Sequence, residues 1–164
     1  MTNGLIVYAT LGAAVGCGLV AGVFFAFSTF VMKGLARLPT AQGIAAMQSI
    51  NVTALTPTFM TALFGVATIC LLLTVSALAS WQKPGAFYLL AGGLLYLIGN
   101  IVVTIICNVP RNNALASIDP NSAQSAALWM NFYSGWIAWN HVRTVTALAA
   151  SAAYMLALLR MGRG

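Results

Sequence analysis

The residues best suited to chemistry stand together in one short stretch, "WNHVRT", which runs from Trp139 to Thr144. It holds the single histidine of the chain, His141, between Asn140 and Arg143. Histidine acts as a general base near neutral pH, and arginine and asparagine donate hydrogen bonds to an oxygen on which negative charge develops. The combination predicts a site that takes a proton from a ligand and stabilises the resulting anion. The alternatives are a structural histidine and an arginine that binds lipid phosphate.

The other chemically active residue types argue against a metal centre. Cys17, Cys70 and Cys107 stand singly in apolar runs without the short spacings of a metal site, so we interpret them as buried thiols with no redox role. The chain has one acid, Asp119, against seven lysines and arginines. We therefore expect no cofactor, with a metal ion or a haem held by one histidine as the alternatives left open.

The composition is that of a membrane protein. Of the 164 residues, 61% are hydrophobic and 5% are charged, and the mean hydropathy is +0.94. In soluble domains about a quarter of the residues are charged. These values exclude an ordinary soluble enzyme, and we expect no nucleic acid among the partners.

Four segments are long and apolar enough to cross a bilayer, which takes about 20 residues of helix. They cover residues 4–32, 56–80, 86–107 and 139–160. Thr56-Pro57 marks the start of the second, because a threonine N-cap followed by proline at the first position favours a helix start. The third is expected to end just before Asn108 and Pro110. The sequence thus predicts an all-α, transmembrane four-helix bundle that forms a single membrane domain.

The fourth span must begin inside the polar stretch. Residues 144–159 carry no charge, but such a helix is only about 24 Å long, and a hydrocarbon core is about 30 Å thick. We predict a helical extension that opens at Asp119-Pro120 and continues into this span, unless Ser134-Gly135 breaks it. On a continuous helix the spacing of four, three, four and three puts five residues on one face: Trp129, Tyr133, Trp136, Asn140 and Arg143.

A short interfacial helix is expected between the first and second spans, within residues 37–51. Thr40 is its predicted cap, and Ile44, Met47 and Ile50 are predicted to face inward. Gln48 and Asn51 would lie nearer its polar side.

Four spans place both termini on one side of the membrane and most of the polar residues on the other. Because unpaired polar groups are costly at membrane depth, we expect six residues to converge in one pocket: Asn51, Asn108, Asn112, Asn140, His141 and Arg143. The basic residues divide almost evenly between the two sides. If Arg111 and Arg143 serve a site and are not counted, more of the remaining basic residues lie on the side of the termini, which favours cytoplasmic termini. The expected location is a bacterial inner membrane.

Two motifs resemble the anthrone oxygenase family of small four-span membrane proteins: "NVPRNNAL" at 108–115 and "WMNFYSGWIAWNHVRT" at 129–144. The resemblance covers most of the chain and includes the glycine-rich first span and the "MQSIN" of 47–51. Arg111 departs from the pattern, since the family more often has an apolar residue there. The resemblance implies a site made of Asn51, Asn108, Pro110, Asn112, Trp136, Asn140, His141 and Arg143.

The implied activity is a flavin-independent monooxygenase whose partners are a hydrophobic aromatic, anthrone-like compound and molecular oxygen. In this interpretation His141 takes a proton, Arg143 and Asn140 stabilise the enolate, and the enolate reacts directly with oxygen. The residues expected to bind the substrate are Asn51, Asn108, Asn112, Tyr133 and Trp136. The alternative is a non-enzymatic protein that binds a lipid or quinone-like ligand or takes part in a membrane complex. Contact with membrane lipid is expected, and a homo-oligomer is left open.

Overall fold

The structure, a computed structural model, describes residues 2–163, and every regular element in this range is a helix. Helix α1 covers residues 2–35 and consists of Thr2–Ala26, a π-helical turn at Phe27–Val31 and a last turn at Met32–Leu35. Helices α2 and α3 are Thr40–Thr53 and Pro57–Ala79. Helix α4 is Ala86–Ala116, with π-helical turns at Leu97–Val102 and Thr104–Asn108, and α5 is Ser125–Met161.

Helices α1, α3, α4 and α5 are each long and apolar enough to span a bilayer. They pack in a ring in which α1 lies between α5 and α3, and α4 lies between α3 and α5. Large apolar side chains such as Leu19, Leu72 and Leu148 are exposed on the outside of this ring. An apolar exterior of this extent suits lipid and not water. The all-α bundle is confirmed, and the chain is a multi-pass membrane protein.

Small residues allow the helices to approach one another closely. Helices α1 and α5 pack closely, and both contribute small buried residues to the core, such as Ala13, Ala147 and Ala150. Across the α3–α4 contact, a Cβ atom added at Gly93 would overlap Thr74 Oγ1 and lie 3.1 Å from the carbonyl oxygen of Cys70. Without a strong hydrophobic force between helices in lipid, such close packing supplies much of their association.

The ends of the helices follow the local sequence signals only in part. Thr56 caps α3 as expected, since its Oγ1 accepts a hydrogen bond from Phe59 N at 3.4 Å. Thr40 does not cap α2, because the cap position is Pro39 and has no side-chain bond. Asp119 does not open α5, which begins at Ser125.

The Asp119 carboxylate instead accepts from the backbone N–H of Asn121 at 2.9 Å. It thus forms a local turn of the kind that competes with helix capping. In α2 the inward placement of Ile44 and Met47 is confirmed, and Ile50 is half-buried.

The end of the third span expected before Asn108 and Pro110 is absent, and so is the break at Ser134-Gly135 that was left open as an alternative. Helix α4 continues past Asn108 to Ala116, because Pro110 falls in the first turn of the α-helical piece Val109–Ala116, where its missing N–H is not required. Helix α5 passes through Gly135 without interruption. A Cβ atom there would lie 2.8 Å from Arg111 Nε, so this glycine makes room for the Arg111 side chain.

The close contact at Gly93 gives a test of the α3–α4 packing. Gly93→Ala should destabilise the protein by about 1–3 kcal/mol, because Thr74 must move and lose its hydrogen bond to the Cys70 carbonyl. Gly12→Ala is the matched control, since nothing lies within 4 Å of an added Cβ atom on this exposed face of α1. Thermal unfolding in detergent measures both, and equal melting temperatures would contradict the packing.

Candidate functional site

A cavity of about 340 Å³ lies among all five helices, in the half of the bundle away from the termini. Its walls are mainly apolar and include Phe24 and Phe27 from α1, Met47 from α2, and Met60 and Leu63 from α3. The polar side chains that line it are Asn51, Thr104, Asn112, Trp136 and Arg143. The size is within the usual range for small-molecule sites, which begins at about 300 Å³.

The cavity lies close to the lipid-facing surface between α3 and the second half of α4. Helix α3 packs mainly against the first part of α4, Ala86–Tyr96, and makes few contacts beyond Val102. At the resulting gap, Phe64, Ile105 and Val109 line the cavity and are also exposed on the outside of the bundle. These three side chains therefore separate the cavity from the apolar exterior of the bundle.

The Arg143 guanidinium is the main polar feature of the cavity, and the residue is only 5% exposed. Its Nη2 donates to Asn140 Oδ1 at 2.6 Å, and its Nη1 donates to Thr104 Oγ1 at 3.3 Å. Its Cζ lies 4.2 Å from the centroid of the Phe24 ring and 5.4 Å from that of Trp136. Nε has no hydrogen-bond partner.

No carboxylate side chain neutralises this guanidinium. The single acid of the chain, Asp119, is exposed in the turn before α5 and binds Asn121 N. A buried charge without a counterion costs several kcal/mol, and the two aromatic faces offset only part of that cost. The cavity is therefore positively charged and surrounded by apolar walls, which is an environment that favours an anion.

Asn140 is fully buried and does not face the cavity. Its Nδ2 donates to the Phe24 carbonyl oxygen and to Ser28 Oγ, each at 2.7 Å. Its Oδ1 accepts from Arg143. Both amide hydrogens are directed to protein acceptors, so Asn140 holds Arg143 in place and has no donor left for a ligand.

Trp136 and Asn112 form one wall of the cavity. The indole Nε1 donates to Asn112 Oδ1 at 2.8 Å, and this bond fixes the plane of the ring. Phe27 packs beside the indole, with ring centroids 5.9 Å apart. An aromatic ligand would find a rigid aromatic surface here.

Asn51 and Asn108 have different positions. Asn51 lines the cavity, and its buried Nδ2 has no partner. Asn108 lies behind the wall and donates to the Trp136 carbonyl oxygen at 3.3 Å. Asn51 Nδ2 and Arg143 Nε are thus fully buried nitrogens of lining residues without a hydrogen-bond partner, and buried donors of this kind normally have an acceptor.

His141 and Tyr133 are not among the residues that line the cavity. His141 is exposed on α5, and the expectation that it converges with the other polar residues was wrong. Successive residues of an α-helix point about 100° apart, so His141 turns away from the face that carries Asn140 and Arg143. Tyr133 is half-buried against Trp129, with ring centroids 6.3 Å apart.

Arg143 is the only ionisable side chain among the lining residues, so they include no general base. In the described part of the chain, no three His, Cys, Asp or Glu side chains lie close enough to hold a metal ion. The arrangement is suited to stabilising negative charge on a ligand and contains no group that would take a proton from it.

Sequence reasoning missed Ser28, Thr104 and the phenylalanines of α1. Thr104 had a signal, because α4 carries a polar or hydroxyl residue at every fourth position of an apolar helix: Tyr96, Asn100, Thr104, Asn108 and Asn112. Ser28 had none, since it stands alone between phenylalanines and gains its role only from contact with α5.

A family model described as "Anthrone oxygenase" matches residues 56–153, which is more than half of the chain. The matched interval includes both motifs and covers α3, α4 and most of α5. It also covers Asn112, Trp136, Asn140 and Arg143, whereas Asn51 lies outside it. No curated protein and no solved structure matches the chain.

The placement of Trp136 gives a binding test. An apolar quinone such as anthraquinone should quench tryptophan fluorescence, and Trp136→Phe should remove most of the saturable quenching, because this indole lines the cavity. The control is Trp81→Phe, since Trp81 is exposed after α3 and lies outside the cavity. Equal quenching in the two variants would mean that the quinone binds elsewhere.

Proposed function

Because the chain belongs to the anthrone oxygenase family, we propose that it is a membrane-embedded oxygenase of a hydrophobic, anthrone-like aromatic compound. The single observation that carries the proposal is the buried guanidinium of Arg143, which lines an apolar cavity and has no carboxylate partner. A site of this kind stabilises a substrate that is neutral in the membrane and becomes an anion during the reaction.

The walls of the cavity suit a flat, apolar substrate. The rings of Phe24, Phe27 and Trp136 offer aromatic surfaces, and Phe64 and Ile105 lie between the cavity and the bilayer from which a compound would enter. Asn51 and Arg143 are polar residues in this mainly apolar lining. A few polar groups of this kind orient a ligand, here through its carbonyl oxygen.

In the proposed reaction the substrate first loses a proton to water from the benzylic carbon that faces its ketone across the central ring. The electron pair left on that carbon is delocalised onto the ketone oxygen and gives an enolate. The Arg143 guanidinium stabilises the negative charge on this oxygen, and Asn51 lies in the same cavity wall. In a low-dielectric cavity the attraction between enolate and guanidinium is stronger than in water.

The enolate then transfers its electrons to molecular oxygen. A carbon–oxygen bond forms, and protonation gives a hydroperoxide. Loss of the remaining benzylic hydrogen and cleavage of the oxygen–oxygen bond release water and leave a second carbonyl. One oxygen atom enters the quinone and the other enters water, so the electrons balance without an external reductant.

The test of the proposal is Arg143→Gln. Oxygen uptake with an anthrone should fall by about 10²- to 10³-fold, as for loss of a donor that stabilises a developing oxyanion. Arg111→Gln is the matched control, because Arg111 is bound to the Cys107 carbonyl and lies outside the cavity. Unchanged uptake in Arg143→Gln, or a loss fully explained by a lower melting temperature, would contradict the proposed role.

His141→Ala tests the base that the sequence predicts. A general base typically contributes about 10²- to 10⁴-fold to the rate. Because His141 is exposed and outside the cavity, we expect its loss to reduce oxygen uptake by less than about tenfold, with the proton released to water instead. A larger loss with the fold intact would show that His141 reaches the substrate.

The lack of a base among the lining residues favours one second candidate, a non-enzymatic protein that binds an anionic or quinone-like ligand in the same cavity. The two functions differ in turnover. A wild-type protein that binds hydroxyanthraquinones but consumes no oxygen with any anthrone would be a binding protein.

A further inference from the structure

We infer that Asn140, Ser28 and Thr104 are positioning residues that orient Arg143 and leave its positive charge uncompensated, so that the cavity selects ligands with one negative charge. This inference rests on the site of the proposed function and goes beyond it in assigning what sets the charge and orientation of that site.

The partner of Arg143 on its own helix is an amide where a carboxylate would fit. Asn140 stands three residues before Arg143 on α5, and its Oδ1 lies 2.6 Å from Arg143 Nη2. An aspartate here would form a buried ion pair, which is the usual way to accommodate an arginine within a membrane. The amide oxygen accepts the same hydrogen bond and leaves the charge in place.

The orientation of the Asn140 amide is fixed by two acceptors on α1. Its Nδ2 donates to the Phe24 carbonyl and to Ser28 Oγ, each at 2.7 Å. A flipped amide would place its NH₂ group against the guanidinium and its oxygen against the Phe24 carbonyl, which can only accept. The Phe24 carbonyl thus directs the Asn140 amide oxygen to Arg143, and Ser28 Oγ holds the second amide hydrogen.

The π-helical turns of α1 and α4 occur beside these contacts. Where hydrogen bonds change from four to five residues apart, one carbonyl loses its helical donor, and such turns are frequent at functional sites. Phe24, whose carbonyl receives Asn140, precedes the turn Phe27–Val31, which contains Ser28. Thr104 begins the turn Thr104–Asn108 in α4. Irregular backbone in both helices therefore accompanies the acceptors around one buried cation.

Thr104 completes the orientation by accepting from Nη1 at 3.3 Å. With Nη1 and Nη2 each directed to a protein oxygen, Nε is the nitrogen left without an acceptor. Arg143 is the only charged side chain that lines the cavity. A ligand oxygen beside this guanidinium would therefore meet one net positive charge. Asn140, expected from the sequence to touch the substrate, acts through Arg143.

The experiment follows the ionisation of a bound dye and needs no turnover. A β-hydroxyanthraquinone changes colour when its phenol ionises, so its visible absorbance can be titrated with pH in detergent. Bound to the wild type, the dye should be half-ionised at a pH about 1 to 3 units lower than in protein-free micelles, because a cation lies beside it. Asn140→Asp should abolish this shift, since the new carboxylate neutralises Arg143.

Thr104→Val and Thr104→Ser form the second, matched pair. Valine has the shape of threonine without the hydroxyl, and loss of this hydrogen bond should weaken binding of the ionised dye by about tenfold. Serine keeps the hydroxyl and should restore binding to near the wild-type value. A role in packing alone would give the reverse order, because valine fills the space better than serine.

The outcomes separate this inference from the proposed function. A normal ionisation shift in Asn140→Asp, or equal dye binding by the valine and wild-type proteins, would overturn the inference. If Asn140→Asp does not fold, the Thr104 pair decides. If the wild type lowers the pH at which the dye is half-ionised but oxidises no anthrone, the proposed oxygenase is overturned and the inference stands. If folded Asn140→Asp oxidises anthrone at the wild-type rate, the inference is overturned and the oxygenase stands.

Discussion

The burial of one guanidinium without a carboxylate is the constraint on which the rest of this structure depends. Arg143 lies within the bundle at 5% exposure, and the single acid of the chain is exposed elsewhere. A buried guanidinium requires oxygen acceptors and aromatic faces around it. Residues of α1, α4 and α5 itself provide them. The close packing of α1 on α5, the π-helical turns Phe27–Val31 and Thr104–Asn108, and the indole of Trp136 all contribute to the surroundings of this one group.

The helical fold could be predicted from the sequence because the four apolar runs are long and almost free of charge. The helix ends were less predictable. Pro110, Asp119 and Gly135 are signals whose effect depends on context: proline is tolerated in a first turn, aspartate forms a local turn as readily as a cap, and glycine accommodates a neighbouring side chain. In each case tertiary packing or local turn chemistry decided the outcome.

The site was predictable where residues recur with helical spacing and unpredictable where they are merely adjacent in the chain. The spacing of Trp136, Asn140 and Arg143 placed them on one buried face of α5, as predicted. The adjacency of His141 to Asn140 had the opposite meaning, since neighbours on a helix point in different directions. Ser28 could not be found at all, because its function comes from an interhelical bond to a residue 112 positions away.

An uncompensated cation also explains how one site could hold an intermediate and release the product. In the proposed reaction the substrate enters from the bilayer as a neutral molecule, because an anion would be too poorly solvated to cross hydrocarbon. Negative charge develops only beside Arg143, so the attraction is greatest for the enolate and absent from the ground state. The quinone is again neutral, and its affinity falls back to that of its apolar contacts. A permanent counterion would remove this difference, because Arg143 would then attract all three species about equally.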